Sequence, residues 1–323
     1  MCRPRRGRSS RCCSTRRCDR GFSRPRRTSS RSTVGRAPPA KHWRCSKQFD
    51  LCALCILCVL DEGSLTVSVI IVSFNARADL ERCLESLDAA PPAAPHEILV
   101  VDNGSTDGSL DLARRRPDVR LIEIGSNLGF ARASNVGIRA SRGANLLLLN
   151  SDTVVPDGAI DRLLAALDQD RDVAVVGPRL VDAGGRAELS FGRMIGPLNE
   201  LRQKRLARGR GVEARTSRRQ YPDWVSGACL LVRRADAEAV GLLDERYFMY
   251  TEDVDFCAAI RARGRRVLFT PDVEVVHLRG RSAASAPAAT RDAYRRSRLA
   301  FYEKHHPGWA PLLKLYVRLR RGR

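Results

Sequence analysis

The segment Val67-Ser-Val-Ile-Ile-Val-Ser-Phe-Asn75 is the part of this chain that decides its fold class. Its β-branched run has the length and composition of a strand that is buried on both faces of a parallel sheet. A second run, Glu97-Ile-Leu-Val-Val-Asp102, has the same character and also ends on a polar residue. Residues 79–87 between them carry leucines at helical spacing. This strand–helix–strand order predicts a right-handed crossover between parallel strands.

The same alternation continues for another hundred residues, with shorter strands after it. Further strands are predicted at 119–124, 144–150, 173–177, 266–269 and 273–277, and further helices at 109–116, 131–140 and 158–168. Residues 196–222 are rich in arginine and predict a mobile basic loop, and residues 297–320 predict a helix that breaks near Pro307 and Pro311. The sequence therefore predicts an α/β, Rossmann-like nucleotide-binding domain whose mixed, mostly parallel sheet is flanked by helices.

The N-terminal fifth of the chain differs sharply in composition from the rest. The 323 residues carry a formal net charge of +21, and residues 1–62 alone hold 16 Lys or Arg against four Asp or Glu. A segment this polar buries too little apolar surface to order itself, so residues 1–64 are predicted to be a disordered basic extension. An alternative is that this region is an out-of-frame reading of GC-rich DNA and that translation starts near Leu65 or Val67. The mass of the native protein distinguishes the two.

An apolar run, Phe49 to Leu60, lies at the end of this extension and contains Cys52, Cys55 and Cys58. It is shorter than the roughly 20 residues that span a bilayer. The cysteine spacing admits an iron–sulfur cluster, but no fourth ligand is evident. An apolar stretch with incidental cysteines is the favoured interpretation.

Polar side chains follow three of the predicted strands, at the sheet edge where ligands bind in open α/β folds. Ser73 and Asn75 follow the first strand, Asp102 ends the second, and Asn150 and Asp152 follow the fourth. A carboxylate at the position of Asp102 can accept a hydrogen bond from a base or a ribose, although Asp-Asn-Gly-Ser is also ordinary turn chemistry. A carboxylate at the position of Asp152 suits a divalent cation bound to a diphosphate, or simply a capped turn.

Three carboxylates crowd into the segment Thr251-Glu-Asp-Val-Asp255. Such crowding indicates a metal site or a proton-transfer site, whereas the alternative is a solvated helix N-terminus. The aromatic residues just before this segment favour a partly buried functional site. His277 ends another β-branched strand, where a lone histidine is more often structural than a ligand.

Taken in order, these motifs resemble the family-2 glycosyltransferases of the GT-A fold, in particular the rhamnosyltransferase-like branch. The resemblance covers about residues 66–305. It rests on the motifs at 67–75, 100–108, 127–131, 150–153, 224–227, 251–255 and 276–277.

The resemblance implies a role for each matching residue. It implies that Asp253 is the catalytic base with Glu252 beside it, and that Trp224 and Asp255 lie toward the acceptor. It also implies nucleotide contacts by Ser73, Asn75, Asp102 and Asn150, and a Mg²⁺ or Mn²⁺ held by Asp152 and His277. One departure is Asn150, an amide where the family's Asp-x-Asp motif begins with a carboxylate. Weaker metal affinity is expected as a result.

The function implied is that of an inverting glycosyltransferase that moves a sugar, with rhamnose as the candidate, from a nucleotide diphosphate to a glycan or a lipid-linked acceptor in cell-envelope polysaccharide synthesis. Residues 65–282 are expected to form the GT-A domain, and residues 283–323 a basic helical tail. Residues 309–323 mix leucines with lysine and arginine, which predicts either a helix on an anionic membrane surface or a packed terminal helix. A cytoplasmic protein, peripheral to the plasma membrane, is expected.

Other functional classes fit the sequence less well. There is no Gly-x-Gly-x-x-Gly motif and no Walker P-loop. A nucleotidyltransferase would carry a Gly-rich basic signature after the first strand, and a non-catalytic sugar-nucleotide-binding protein would not need both Asp152 and Asp253. A nucleic-acid-binding protein is disfavoured because aromatic residues make up only 6% of the chain and the positive charge lies mostly in the extension and one loop.

Overall fold

A computed structural model describes residues 65–197, 199–200, 211–278 and 287–321. The predicted disordered extension, 1–64, and most of the arginine-rich part of the predicted loop, 201–210, lie outside the described residues. All described residues fall within one unit, Leu57–Arg323.

The described strands form an eight-stranded sheet and a separate two-stranded ribbon. The strands of the large sheet are β1 (Val67–Ser73), β2 (His96–Asp102), β3 (Val119–Glu123), β4 (Asn145–Asn150), β5 (Thr153–Val154), β6 (Val173–Val181), β9 (Cys229–Arg233) and β10 (Arg266–His277), and the ribbon pairs β7 (Phe191–Gly192) with β8 (Trp224–Val225). The sheet order is β3-β2-β1-β4-β9-β6-β10-β5. Only β9 and β5 run antiparallel to their neighbours. The predicted mixed, mostly parallel sheet is therefore confirmed.

Helices flank the sheet on both faces. They are α1 (Arg77–Ala89), α2 (Ser109–Arg114), α3 (Phe130–Ala140), α4 (Ala159–Asp168), α5 (Val212–Thr216), α6 (Arg234–Ala239), α7 (Glu252–Ala262), α8 (Pro287–His305) and α9 (Ala310–Arg321). Alternate residues of β1 enter opposite cores: Val69 and Ile71 pack with α1 and α4, while Ile70 packs with α3 and α7. Burial of both faces explains why the strand reads as a continuous apolar run.

The structure departs from the predicted elements at several places. Residues 266–277 form one strand with an irregularity between Thr270 and Glu274, where two strands were predicted. A short helix, α5, lies within the predicted loop. The predicted tail helix is broken only at Pro307, because Pro311 lies in the first turn of α9, where a missing N–H costs no hydrogen bond. Within the described ranges, no helix combines the length and the apolar character needed to cross a membrane.

Candidate active site

A cleft of about 710 Å³ opens at the carboxyl ends of the central strands. It brings together six of the residues predicted from the sequence to form the site: Asn150, Asp152, Trp224, Glu252, Asp253 and His277. The remaining four, Ser73, Asn75, Asp102 and Asp255, are not among the residues that line it. These six residues are up to 127 positions apart in the sequence, yet the fold brings them together at one edge of the sheet.

Asp102 and Ser73 are register partners at the ends of β2 and β1, and both are buried. One Asp102 carboxylate oxygen, Oδ2, accepts hydrogen bonds from the backbone N–H groups of Gly104 (3.1 Å) and Ser105 (3.0 Å). The other oxygen, Oδ1, and the Ser73 hydroxyl are buried and have no hydrogen-bond partner in the described part of the chain. Leaving such groups unsatisfied is costly, and neither residue is among those that line the cleft.

Asn75 links the loops that follow β1 and β2. Its side-chain Oδ1 accepts a hydrogen bond from the Thr106 backbone N–H at 2.7 Å, and its backbone N–H donates one to the Ser105 hydroxyl at 3.0 Å. The left-handed backbone at Asn75, with φ of 50°, is a conformation that asparagine tolerates well. Its side chain therefore holds the two loops together rather than facing the cleft.

Asp152 and His277 lie side by side in the lining of the cleft. His277 Nε2 lies 3.4 Å from Asp152 Oδ1, and its other ring nitrogen, Nδ1, lies 3.3 Å from Glu188 Oε2. Burial lowers the pKa of His277, but the two carboxylates outweigh burial and raise that pKa to about 9. Across the residues that the structure describes, no three His, Cys, Asp or Glu side chains converge into a complete metal site. The cleft thus presents a carboxylate and an imidazole side by side.

Glu252 and Asp253 begin helix α7 and face the cleft. The Asp253 Oδ2 atom accepts a hydrogen bond from the Gly227 backbone N–H at 2.9 Å, whereas Glu252 Oε2 is buried without a hydrogen-bond partner in the described segments. Burial raises the pKa of both carboxyl groups, and together with the negative charge of Asp253 it raises that of Glu252 to about 8. The helix dipole favours the ionised forms, but removal from water dominates.

The turn before α7 has a strained backbone. Tyr250 and Thr251 both adopt left-handed conformations, with φ of 72° and 67°. The Phe130 N–H donates to the Phe248 carbonyl at 2.6 Å, and a Cβ at the preceding Gly129 would lie 2.3 Å from that same oxygen. Close packing of α3 against this turn therefore requires glycine at 129. Strained turns that the surrounding packing holds in place are typical of functional sites.

Comparison with known proteins gives the family. The model of the family described as "Glycosyl transferase family 2" matches residues 68–240. This chain belongs to glycosyl transferase family 2. The predicted family is confirmed, and the chain is a glycosyltransferase that uses a nucleotide-sugar donor.

Two curated relatives of this glycosyltransferase illustrate the family. The N-acetylglucosaminyl-diphospho-decaprenol L-rhamnosyltransferase of Mycobacterium tuberculosis is 34% identical over 267 residues, which cover 76% of this chain and 87% of the relative. The low-salt glycan biosynthesis hexosyltransferase Agl10 of Haloferax volcanii is 25% identical over 65% of this chain and 66% of its own length.

Two solved structures share the fold of the glycosyltransferase. The mannosyltransferase PcManGT of Pyrobaculum calidifontis, in complex with GDP-Man and Mn²⁺, matches with a TM-score of 0.54 and 21% identity over 78% of this chain and 69% of that chain. GalNAc-T7 with UDP, GalNAc and Mn²⁺ matches with a TM-score of 0.52 and 21% identity over 68% of this chain and 44% of that one. Both are GT-A glycosyltransferases, so the predicted fold class is confirmed.

Asp255 has a different environment in the glycosyltransferase from the one predicted. Its carboxylate is buried and contacts Lys304 Nζ (2.8 Å), His305 Nε2 (2.6 Å) and the Tyr247 hydroxyl (3.1 Å). Side chains two positions apart on an α-helix point in directions that differ by about 200°, so Asp255 points away from Asp253. The predicted acceptor contact does not fit this position. Asp255 instead fastens helix α8 to the helix that carries Glu252 and Asp253.

Three residues at the site escaped the sequence analysis. Glu188 lies between β6 and β7 in a segment without periodic pattern, and Tyr294 reaches the cleft from α8. The Asn103 side chain donates to Asn127 Oδ1 at 3.0 Å and accepts from the Leu128 N–H at 2.9 Å, which fixes the loop before α3. Only Asn103 left a signal in the sequence, because it lies inside the Asp-Asn-Gly-Ser motif.

Replacing Glu252 by glutamine is expected to stabilise the glycosyltransferase at neutral and alkaline pH. The folded-state pKa near 8 exceeds the ordinary value of 4.5, so the folded state keeps a proton that the unfolded chain releases. The contribution of this bound proton to the free energy of unfolding is fully present below pH 4.5 and is lost as the pH rises toward 8. We expect the variant's advantage in free energy of unfolding to grow with pH to roughly 2 kcal/mol.

Thermal unfolding at several pH values between about 5.5 and 8.5 measures this difference. The matched control is Glu85→Gln, which changes an exposed glutamate of α1. A Glu252→Gln advantage that does not change with pH would mean that Glu252 ionises normally.

Proposed function

We propose that this glycosyltransferase is an inverting, metal-dependent rhamnosyltransferase that transfers rhamnose from a nucleotide diphosphate to a lipid-linked glycan in cell-envelope polysaccharide synthesis. The observation that carries the proposal is one cleft that holds both the Glu252–Asp253 pair and the Asp152–His277 pair. The 34% identity to the mycobacterial rhamnosyltransferase, over 87% of that protein, supports the choice of sugar and of acceptor class.

In the proposed reaction, Asp253 acts as the general base. It takes the proton from an acceptor hydroxyl while that oxygen forms a bond to the anomeric carbon and the bond from that carbon to the diphosphate breaks. Attack from the face opposite the diphosphate inverts the anomeric configuration. The Gly227 N–H holds one Asp253 oxygen at 2.9 Å, which orients the carboxylate. Burial raises the pKa of Asp253 and so makes the carboxylate a stronger base.

Asp152 and His277 fit a divalent cation, Mg²⁺ or Mn²⁺, because a carboxylate oxygen and an imidazole nitrogen approach within 3.4 Å in the cleft. When bound, the cation would stabilise the negative charge that develops on the leaving diphosphate. Asn150 lines the same cleft with a neutral amide, so this chain supplies less negative charge than an Asp-x-Asp motif would. We therefore expect donor and metal to bind together.

Asp102 and Ser73 are proposed to recognise the nucleotide. The buried Asp102 Oδ1 can accept a hydrogen bond from a base N–H or a ribose hydroxyl, and the Ser73 hydroxyl beside it can donate or accept one. Phe74, which lines the cleft and is 40% exposed, offers an apolar surface for the base. Asn75 is proposed to act indirectly, by fixing the loop that carries Phe74.

Trp224 is proposed to shape the acceptor side of the cleft. Its indole Nε1–H donates to the Arg193 carbonyl at 2.9 Å, which fixes the ring, and both residues line the cleft. Tyr294 of α8 contributes a further aromatic side chain. A planar apolar surface beside a guanidinium suits a sugar attached to a diphosphate.

Replacing Glu188 by glutamine is expected to raise the half-saturating Mn²⁺ concentration by roughly tenfold, since a carboxylate hydrogen-bonded to a ligating histidine orients the ring and increases its basicity. Glu188 Oε2 lies 3.3 Å from His277 Nδ1. Transfer rates measured over a Mn²⁺ titration give this value. The control is Glu274→Gln, an exposed carboxylate on the same strand as His277. Unchanged metal dependence in Glu188→Gln would remove Glu188 from this role.

The proposal is tested by measuring donor binding and turnover by the full chain over a panel of nucleotide sugars, with and without Mg²⁺ or Mn²⁺. We expect metal-dependent turnover of dTDP-rhamnose above all others. Binding without turnover for every acceptor tried would favour a non-catalytic sugar-nucleotide-binding protein. Formation of a nucleotide sugar from a nucleoside triphosphate and a sugar phosphate would favour a nucleotidyltransferase.

A further inference from the structure

Helix α9 carries two apolar stripes, and only one of them is packed. Ala310, Leu313 and Val317 face a buried cluster that includes Phe301 and Tyr302 of α8. The second stripe is exposed: Trp309, Leu312, Leu315 and Leu319 are 53%, 59%, 55% and 69% accessible. Since helix residues three or four positions apart lie on one face, these four side chains form a continuous surface, here called the α9 stripe.

The α9 stripe is too large to be an ordinary surface feature. Single exposed leucines are common, but neighbouring large apolar side chains on one helix face mark a surface that binds something apolar. The buried cluster already accounts for the fold of the helix, because it needs only Ala310, Leu313 and Val317. The stripe therefore adds nothing to the packing of the described chain.

The charge around the α9 stripe indicates the chemistry of its partner. Residues 287–321, which span α8 and α9, contain nine Lys or Arg against two Asp or Glu. Lys314 and Arg318 lie within α9 itself, and both are exposed. Leucines on one face, cationic residues beside them and a tryptophan at one end are the combination that lies in the headgroup region of an anionic bilayer.

The α9 stripe is also rigidly connected to the catalytic cleft. Val254, between Asp253 and Asp255, belongs to the same buried cluster as Leu313. Tyr294 of α8 lines the cleft. Whatever holds the α9 stripe therefore also fixes the position of the cleft.

We propose that the α9 stripe docks the protein on the surface of an anionic lipid bilayer. Docking would hold the cleft where a lipid-linked acceptor presents its sugar, and this part of the inference rests on the acceptor class in the proposed function. The docking itself depends only on the leucines, the tryptophan and the surrounding cations.

The test compares the full chain with the triple variant Leu312→Ser, Leu315→Ser, Leu319→Ser in co-sedimentation with phosphatidylcholine vesicles that contain about 30 mol% phosphatidylglycerol. The triple variant keeps every charge, including those of residues 1–62, so electrostatic attraction is equal in both proteins. We expect the vesicle partition coefficient to fall by roughly tenfold, and the difference to persist near 0.5 M salt, where charge attraction is screened.

Two controls keep the result interpretable. Tyr221→Ser removes an exposed aromatic ring, 46% accessible, from a different segment and should bind vesicles like the parent. Unchanged donor binding by the triple variant shows that it is folded.

The proposal is overturned if the triple variant binds vesicles as well as the parent does. It is equally overturned if the parent forms a dimer that the triple variant loses while neither binds vesicles, since the stripe would then join two copies of the chain. Failure of the proposed function looks different: no donor would be turned over, yet vesicle binding would still depend on the three leucines. Transfer to a water-soluble acceptor with a short lipid should be the same in parent and triple variant.

Discussion

Replacing Asp253 by asparagine is expected to lower kcat for sugar transfer by about 10³-fold, within the range that a general base contributes. The amide cannot take up the acceptor's proton at any accessible pH. It has nearly the same shape, and its oxygen can still accept the hydrogen bond from the Gly227 N–H. The Kd of the donor should therefore change by no more than about twofold, since only the transition state loses an interaction.

Glu252→Gln is the matched comparison for this variant. It replaces the neighbouring carboxyl group by an amide but leaves the Asp253 carboxylate in place, so transfer should persist. Because Glu252 keeps its proton below its pKa of about 8, the substitution removes no charge near neutral pH, and the rise of kcat/KM with pH in that range should stay close to that of the parent. An active Asp253→Asn enzyme, together with an inactive Glu252→Gln enzyme, would assign the base role to Glu252 instead.

Replacing Asp255 by asparagine is expected to destabilise the protein by about 3 kcal/mol, as breaking a buried ion pair leaves the partner charge uncompensated. The variant removes the charge that Lys304 Nζ and His305 Nε2 share, at 2.8 and 2.6 Å. Asp244, at 2.8 Å from the same Nζ, compensates Lys304 only partly. Because α8 would then hold α7 less firmly, kcat should also fall although Asp255 does not line the cleft.

Chemical denaturation measures the loss of stability, and transfer assays well below the unfolding transition measure the loss of rate. Asp292→Asn is the control, because this aspartate is only half-buried and pairs only with its helical neighbour Arg295 among the ion pairs of the described chain. A loss for Asp255→Asn no larger than that of the control would mean that the contact with α8 contributes nothing to stability.

The central sheet could be predicted from the sequence because its strands are buried on both faces. The apolar runs at 67–72 and 144–150 indicate strands of a parallel α/β sheet. In such a sheet, a polar residue just after a strand lies at the edge where ligands bind. The same rule predicted Asn150 and Asp152 at this edge, and both line the cleft, whereas Ser73, Asn75 and Asp102 are not among the lining residues. It needed no knowledge of side-chain contacts.

The remaining features depended on long-range packing that leaves no local pattern. Glu188 meets His277 across 89 positions of sequence. Tyr294 reaches the cleft only because α8 packs on α7. Asp255 was grouped with Glu252 and Asp253 because all three are acidic and adjacent, whereas helical rotation separates Asp255 from Asp253. For Asp255, the helix period within the acidic run was the available signal.

The proposed transfer of rhamnose, with inversion, to a lipid-linked sugar can be tested on its product. The most direct measurement incubates the protein with dTDP-L-rhamnose, Mn²⁺ and an N-acetylglucosaminyl-diphospho-polyprenol, and determines the product by mass spectrometry and by NMR of the new anomeric centre. We expect addition of one deoxyhexose whose anomeric configuration is opposite to that of the donor. A product that keeps the donor's configuration, or a donor that binds and is never transferred to this acceptor, would contradict it.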